Sequence, residues 1–328
     1  MIISRTPYRI SFFGGGSDYP SWYRENEGEV ISTTIDKYLY LSLRDLPLFF
    51  KHNYRIVFSK IEIANSVNEI KFNVIKQIIK KFKIKEGLEI HYDGDLPARS
   101  GMGSSSSFVV GLINIFNEFL KNKLTKKELA LESLIFEHQI LKELVGSQDQ
   151  IAASYGGFNH IKFYKNDKFN VKSFNIEDSY FNKLNNNLIL VYTGINRTAK
   201  YVASSYVNKL NNIKKKEMFE LIEFVNEAKK IIKNKKTDEF GYLLNESWKL
   251  KKSISNNISN DKINNLYSEG LKQGALGGKL LGAGGGGFLL FYLPKDKHKN
   301  FLKKYKKIIK INFNFTNQGS SIIYNSNA

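Results

Sequence analysis

The 328-residue chain contains no cysteine, which removes a disulfide scaffold, a thiol nucleophile and a thiolate zinc site together. No apolar run approaches the roughly 18 residues of a membrane-spanning helix, the longest candidate being the short stretch 288–293. Arg5, Pro7 and Arg9 interrupt the start of the chain, so the apolar core of a secretory signal never develops and a cytoplasmic location is expected. There is no internal repeat and no low-complexity linker. Acids are scarce, with 31 Asp+Glu against 50 Lys+Arg, for a net charge of +19.

What is present is globular in composition: 42% apolar and 25% charged residues, enough for a buried core and two or three domains. A positive excess suits nucleic acid, an acidic membrane or small anions. The basic residues are dispersed in short clusters such as Lys80-Lys81, Lys126-Lys127, Lys214 to Lys216 and Lys303-Lys304, mostly in helical stretches. No ribonucleoprotein motif, zinc finger or basic zipper accompanies them. Solvated faces account for most of this charge, and neither a nucleic-acid nor a membrane partner is expected.

Partial alternation of β-branched and aromatic residues predicts strands over 29–43, 54–63 and 88–92. Phe108, Leu112, Ile115, Phe116, Phe119 and Leu120 fall on one helical face after a glycine–serine loop. Thr125 and Glu128 have capping-box spacing and predict a helix to about Leu144, ended by Gly146. Ser147 and Gln150 repeat that spacing and predict another. Further on come a strand at 188–193, helices over 218–232, 240–250 and 263–271, a glycine-rich strand over 279–293, and strands at 308–315 and 320–324. This order is α+β, without βαβ alternation, and divides near residue 175.

Four groups of residues can carry chemistry. Pro97-Ala-Arg-Ser-Gly101-Met-Gly103 followed by Ser104 to Ser107 precedes a helix; such a loop turns backbone N–H groups and a helix start toward an anion, most simply a phosphate. Its hydroxyls suit magnesium, it lacks the lysine of a Walker loop, and its plain alternative is a turn with a serine cap. Glu137 and Asp149 stand 12 positions apart across a glycine turn, close enough for one to hold a metal while the other orients or deprotonates a hydroxyl; a solvated acid and a helix-start acid are the alternative. Arg9 precedes Gly14-Gly-Gly-Ser17-Asp18, where a ligand can approach closely and Asp18 can accept from sugar hydroxyls. Gly277-Gly-Lys279-Leu-Leu-Gly282-Ala-Gly284-Gly285-Gly286-Gly287-Phe288 is a second place of close backbone approach, or a bulged strand connection.

With these motifs in this order, the chain resembles the kinase superfamily grouping galactokinase, homoserine kinase, mevalonate kinase and phosphomevalonate kinase (GHMP). The resemblance implies an N-terminal domain like domain 2 of ribosomal protein S5, over 1–175, and a ferredoxin-like C-terminal domain, over 176–328, with ATP between them. It implies that Pro97, Gly101, Met102, Gly103, Ser104, Ser105 and Ser106 wrap the ATP phosphates, that Ser105 (or the adjacent Ser104) and Glu137 hold Mg2+, that Asp149 is catalytic, and that Arg9 assists the reacting hydroxyl. Gly15, Gly16, Ser17, Asp18, Thr193, Gly284 and Gly285 would face the second substrate.

More narrowly, Thr6-Pro-Tyr-Arg9 with Gly14 to Tyr19, Ser147-Gln-Asp149-Gln150 and Tyr192-Thr193-Gly194 resemble the bacterial D-glycero-D-manno-heptose 7-phosphate kinases. The Glu-His pair of galactokinases is absent. That resemblance implies phosphorylation of an anomeric hydroxyl, serving nucleotide-activated heptose for capsule or lipopolysaccharide. A phosphorylated sugar needs a second anion site, for which Arg99, Arg197 and Lys200 are the candidates. The alternatives are a fucose or N-acetylhexosamine kinase, or a non-catalytic RNA-binding protein of S5-like fold. The expected partners are ATP and a phosphorylated sugar; a homodimer is allowed.

Overall fold

The computed structural model describes residues 1–47, 49–175, 177–195 and 199–326, the side chains of 199 and 200 excepted. The first part of the chain forms β1 (Ile2–Phe13), α1 (Pro20–Asn26), β2 (Gly28–Asp45), β3 (Tyr54–Val57), β4 (Ile61–Ala64), α2 (Asn73–Phe82), β5 (Leu88–Gly94), α3 (Ser104–Phe119), α4 (Lys126–Ile135), α5 (Gln148–Tyr155), β6 (Phe158–Phe163) and β7 (Phe169–Phe174). The remainder forms α6 (Ser179–Asn186), β8 (Leu188–Tyr192), α7 (Ala199–Ser204), α8 (Lys215–Lys233), α9 (Thr237–Ile254), α10 (Asp261–Lys272), β9 (Gly277–Leu280), β10 (Phe288–Tyr292), α11 (His298–Lys304), β11 (Lys310–Ile311) and β12 (Ser321–Asn325).

The larger sheet has the order β12-β1-β2-β5-β3-β4, and β6 and β7 continue it from the first half of β2. β2 is long enough to pair with β6 through Gly28–Thr33 and with β5 through Leu39–Asp45. Tyr8, Ile10, Phe12 and Phe13 of β1 are wholly buried, each such side chain contributing about 1.5–3 kcal/mol. α3 packs on β1 and β2 and is buried nearly all round from Ser106 to Asn117, not along one face alone, because sheet and helices enclose it together. The smaller sheet, β11-β8-β10-β9, is antiparallel throughout; the spatial order fourth-first-third-second of its strands is ferredoxin-like. Sheet membership changes between β7 and β8.

Several expected boundaries are corrected. The run 54–63 is a hairpin of β3 and β4, and 279–293 is two strands around a loop. The strand expected at 308–315 shrinks to Lys310–Ile311, with Phe315 making a lone bridge to Ile35. β12 pairs with β1, so the end of the chain returns to the first sheet instead of staying with the unit expected at 176–328. The Thr125–Glu128 capping box forms, but its helix widens into a π turn at Phe136–Ile140 and stops before Leu144. The chain must leave the helix there to bring Gly146 against Asp18, where a Cβ would overlap the carboxylate. The second capping box does not form: Ser147 pairs with the Tyr23 hydroxyl at 3.2 Å, and Gln150 reaches Glu137.

Candidate active site

A cavity of about 390 Å³ opens where β1, the loop before α3, the start of α5, α9 and the β9–β10 loop converge. At its centre the Arg9 guanidinium donates Nε to Asp149 Oδ1 and Nη2 to Asp149 Oδ2, both at 2.7 Å, and Nη1 to the Gly101 carbonyl, also at 2.7 Å. β1 and α5 therefore deliver a bidentate pair onto the glycine loop, a geometry specific to arginine. Burial raises the Asp149 carboxyl above its ordinary range; Arg9 opposes that and the neighbouring Asp18 adds to it. A carboxylate raised toward working pH suits a general base.

Gly103, in the left-handed region, is the N-cap of α3 and leaves the helix start without a side-chain cap, so the serine-cap alternative does not hold. Ser104, Ser105 and Ser106 of the first turn line the cavity with Gly101 and Gly103, and their N–H groups lie beyond the reach of helical partners. Gly101 (φ +83°) and Gly282 (φ +79°) meet back to back: a Cβ on Gly101 would land on the Leu281 carbonyl, and one on Gly282 would stand 2.7 Å from Gly101 Cα. The β9–β10 loop is thus a backbone buttress for the phosphate-type loop.

Ser106, not the exposed Ser105, meets Glu137, donating to Oε2 at 2.8 Å; Gln150 donates to the same oxygen. Glu137 is 1% exposed and its Oε1 has no partner; burial lifts its pKa to about 7. An orphaned carboxylate oxygen behind serine hydroxyls fits a hard cation with oxygen ligands. Among the described residues no cluster of three or more His, Cys, Asp or Glu could hold a metal; an ion here would need further oxygen ligands from a bound anion or water.

The other expected residues divide. Gly15, Gly16, Asp18, Arg99 and Gly284 line the cavity, and Asp18 accepts from the Gly16 N–H at 2.9 Å. Ser17 is fully buried and turns to the Gly14 and Glu29 carbonyls. Thr193 is spent on the Gly287 carbonyl at 2.8 Å, Gly285 on that of Ile258, and Met102 is core, its carbonyl accepting from Arg9 N–H. Pro97 is exposed and outside the lining. Backbone pairing explains these departures, since each shapes the loops rather than facing the cavity. Arg197 and the Lys200 side chain lie outside the described residues. Sequence reasoning passed over Gln148, Tyr206, Lys251 and the Lys279 side chain, all lining residues. Lys251 was detectable: with Leu244, Ser247 and Trp248 it occupies the buried stripe of α9.

The model for the GHMP kinases N terminal domain matches residues 69–157, and that for GHMP kinases C terminal matches 211–308. D-glycero-alpha-D-manno-heptose 7-phosphate kinase of Campylobacter jejuni is 32% identical over 97% of each chain. The chain is a GHMP kinase. Mevalonate kinase of Methanocaldococcus jannaschii is 30% identical to it, over 68% of this kinase and 67% of that protein. A crystal structure described as a D-glycero-D-manno-heptose 1-phosphate kinase of Bacteroides thetaiotaomicron shares the fold of the kinase with a TM-score of 0.80, at 22% identity over 99% of this chain and 100% of that one. The protein is accordingly a phosphotransferase, and no helix among its described residues is long and apolar enough to cross a membrane.

Proposed function

We propose that this kinase transfers the γ-phosphoryl group of ATP to the anomeric hydroxyl of D-glycero-D-manno-heptose 7-phosphate. The product would be the 1,7-bisphosphate, a precursor of nucleotide-activated heptose for surface glycans. The likeness to the Campylobacter jejuni enzyme along the whole chain supports the sugar. The observation that carries the chemistry is the Arg9–Asp149 pair set against the uncapped start of α3.

In this reading the ATP phosphates lie on the amides of Gly101 to Ser106, where N–H groups and the helix dipole favour negative charge. Mg2+ would be held by Glu137 with a serine hydroxyl of the first turn, and when bound it neutralises phosphate charge. Asp149 takes the proton of the anomeric hydroxyl or orients it; the anomeric oxygen forms a bond to the γ-phosphorus as the bond to the bridging oxygen breaks, and ADP leaves. Arg9 holds Asp149 in place and offsets charge on the transferred group. Asp18 and Gly16 offer acceptor and backbone contacts to the sugar.

A coupled ADP-release assay on heptose 7-phosphate, unphosphorylated heptose, fucose and N-acetylhexosamines tests the substrate. The expected result is the highest kcat/KM for heptose 7-phosphate. A higher kcat/KM for any of the others overturns the assignment.

A further inference from the structure

Two lysines of the cavity stand apart from the Arg9–Asp149 ion pair and the loop before α3. Lys251 of α9 and Lys279 of β9 are each only 8% exposed and both line the cavity. α9 and β9 pack on each other, and the ammonium groups of the two lysines both reach the end of β1 and the turn that follows it: Lys251 Nζ donates to the Gly15 carbonyl at 2.8 Å and Lys279 Nζ to the Phe12 carbonyl at 2.6 Å. Among the described residues no carboxylate lies within 4.0 Å of either nitrogen, although buried charge is costly unless paired. Each ammonium has three donors and one protein acceptor. The groups that face them are Asp18, Arg9, each other and the Tyr206 ring, which lies 5.2 Å from Lys251 Nζ. Burial, and for Lys279 the like charges of Lys251 and Arg9, lowers the pKa values to about 8 for Lys251 and about 7 for Lys279, as expected of cations awaiting an anion.

Their position selects the anion. The Arg9–Asp149 pair stands against Gly101 and Gly103 of the loop before α3, whereas Lys251 Nζ stands against Gly15 and Gly16 of the turn after β1. We infer that Lys251 and Lys279 form a subsite for the phosphate monoester already carried by the acceptor, separate from the ATP phosphates. This inference rests on the proposed phosphosugar reading. The unused donors supply charge-assisted hydrogen bonds, and the monoester supplies the missing negative charge.

The test is the ratio of kcat/KM for heptose 7-phosphate to that for unphosphorylated heptose, in wild type, Lys251→Met and Lys279→Met. If wild type shows no preference for the phosphorylated sugar, the phosphosugar reading fails. If wild type shows the preference and both variants keep it, the reading survives and this subsite is wrong. The expected result is a ratio at least about 30-fold lower in each variant, with the KM for ATP near its wild-type value. Should a variant not fold, acylation of the wild-type lysines followed by mass spectrometry decides: saturating heptose 7-phosphate is expected to slow modification of Lys251 and Lys279 far more than unphosphorylated heptose does. Equal protection by the two sugars, or none, contradicts the subsite.

Discussion

Arg9 grips both carboxylate oxygens of Asp149 at 2.7 Å while its third nitrogen holds the Gly101 carbonyl. One side chain thus fixes the proposed base and the phosphate-type loop in a single frame. Asp149→Asn removes the base and leaves an amide nitrogen facing a guanidinium. Its kcat is expected to fall by about 10²–10⁴, with nucleotide affinity close to wild type by calorimetry. Arg9→Met should lose a similar factor in kcat and also weaken nucleotide binding, because the loop loses its anchor.

The Ser106–Glu137 contact gives a different signature. Ser106→Ala and Glu137→Gln are each expected to raise the Mg2+ concentration needed for half-maximal nucleotide binding, read by titration calorimetry. Glu137→Gln should have the larger effect, since it removes the oxygen that has no protein partner. Ser105→Ala should move the midpoint less than Ser106→Ala, because Ser105 is exposed and Ser106 is the residue in contact with the carboxylate.

The seam of Gly101 and Gly282 admits no side chain. Gly101→Ala places a Cβ on the Leu281 carbonyl at a left-handed φ of +83°, where backbone strain alone is about 1–2 kcal/mol. The loops must separate, and the KM for ATP is expected to rise by about tenfold or more, measured by initial rates.

Glu29 of β2 ties the two parts of the chain. It accepts from His160 of β6 at 2.7 Å and from Lys229 of α8 at 3.0 Å. The His160 hydrogen bond, against an opposing effect of burial and with help from Lys229, lowers its pKa from 4.5 to about 2. A depressed acid contributes stability above its unfolded pKa and loses it as pH falls from about 4.5 toward 2. Glu29→Gln is expected to cost about 2–3 kcal/mol at pH 7, with the difference from wild type narrowing below pH 4.5 in denaturant melts.

The three glycine-rich motifs stood out by residue type and spacing, whereas Glu137, Asp149 and Arg9 were singled out through the family resemblance that those motifs carry. The helices over 218–232, 240–250 and 263–271 were legible through their apolar period, and α8, α9 and α10 stand there. Three things were hidden. A π turn at Phe136–Ile140 follows from where Gly146 must sit against Asp18, a tertiary demand with no local signal. The choice of Ser106 over Ser105 depends on helix phase relative to another element. β12 joins β1 from the opposite end of the chain, pairing Ile2 with Asn325, which local alternation cannot specify. Thr193 and Ser17 look like substrate contacts by composition, yet the Gly287 and Gly14 carbonyls, which also accept the backbone N–H of the same residues, take both hydroxyls.

The most direct measurement of the central claim is phosphorus NMR of the product formed from ATP and heptose 7-phosphate by the intact protein. The account predicts a new resonance coupled to the anomeric proton, with the 7-phosphate signal retained. A phosphoryl group on any other hydroxyl, or ADP formed without a new sugar phosphate, would contradict it.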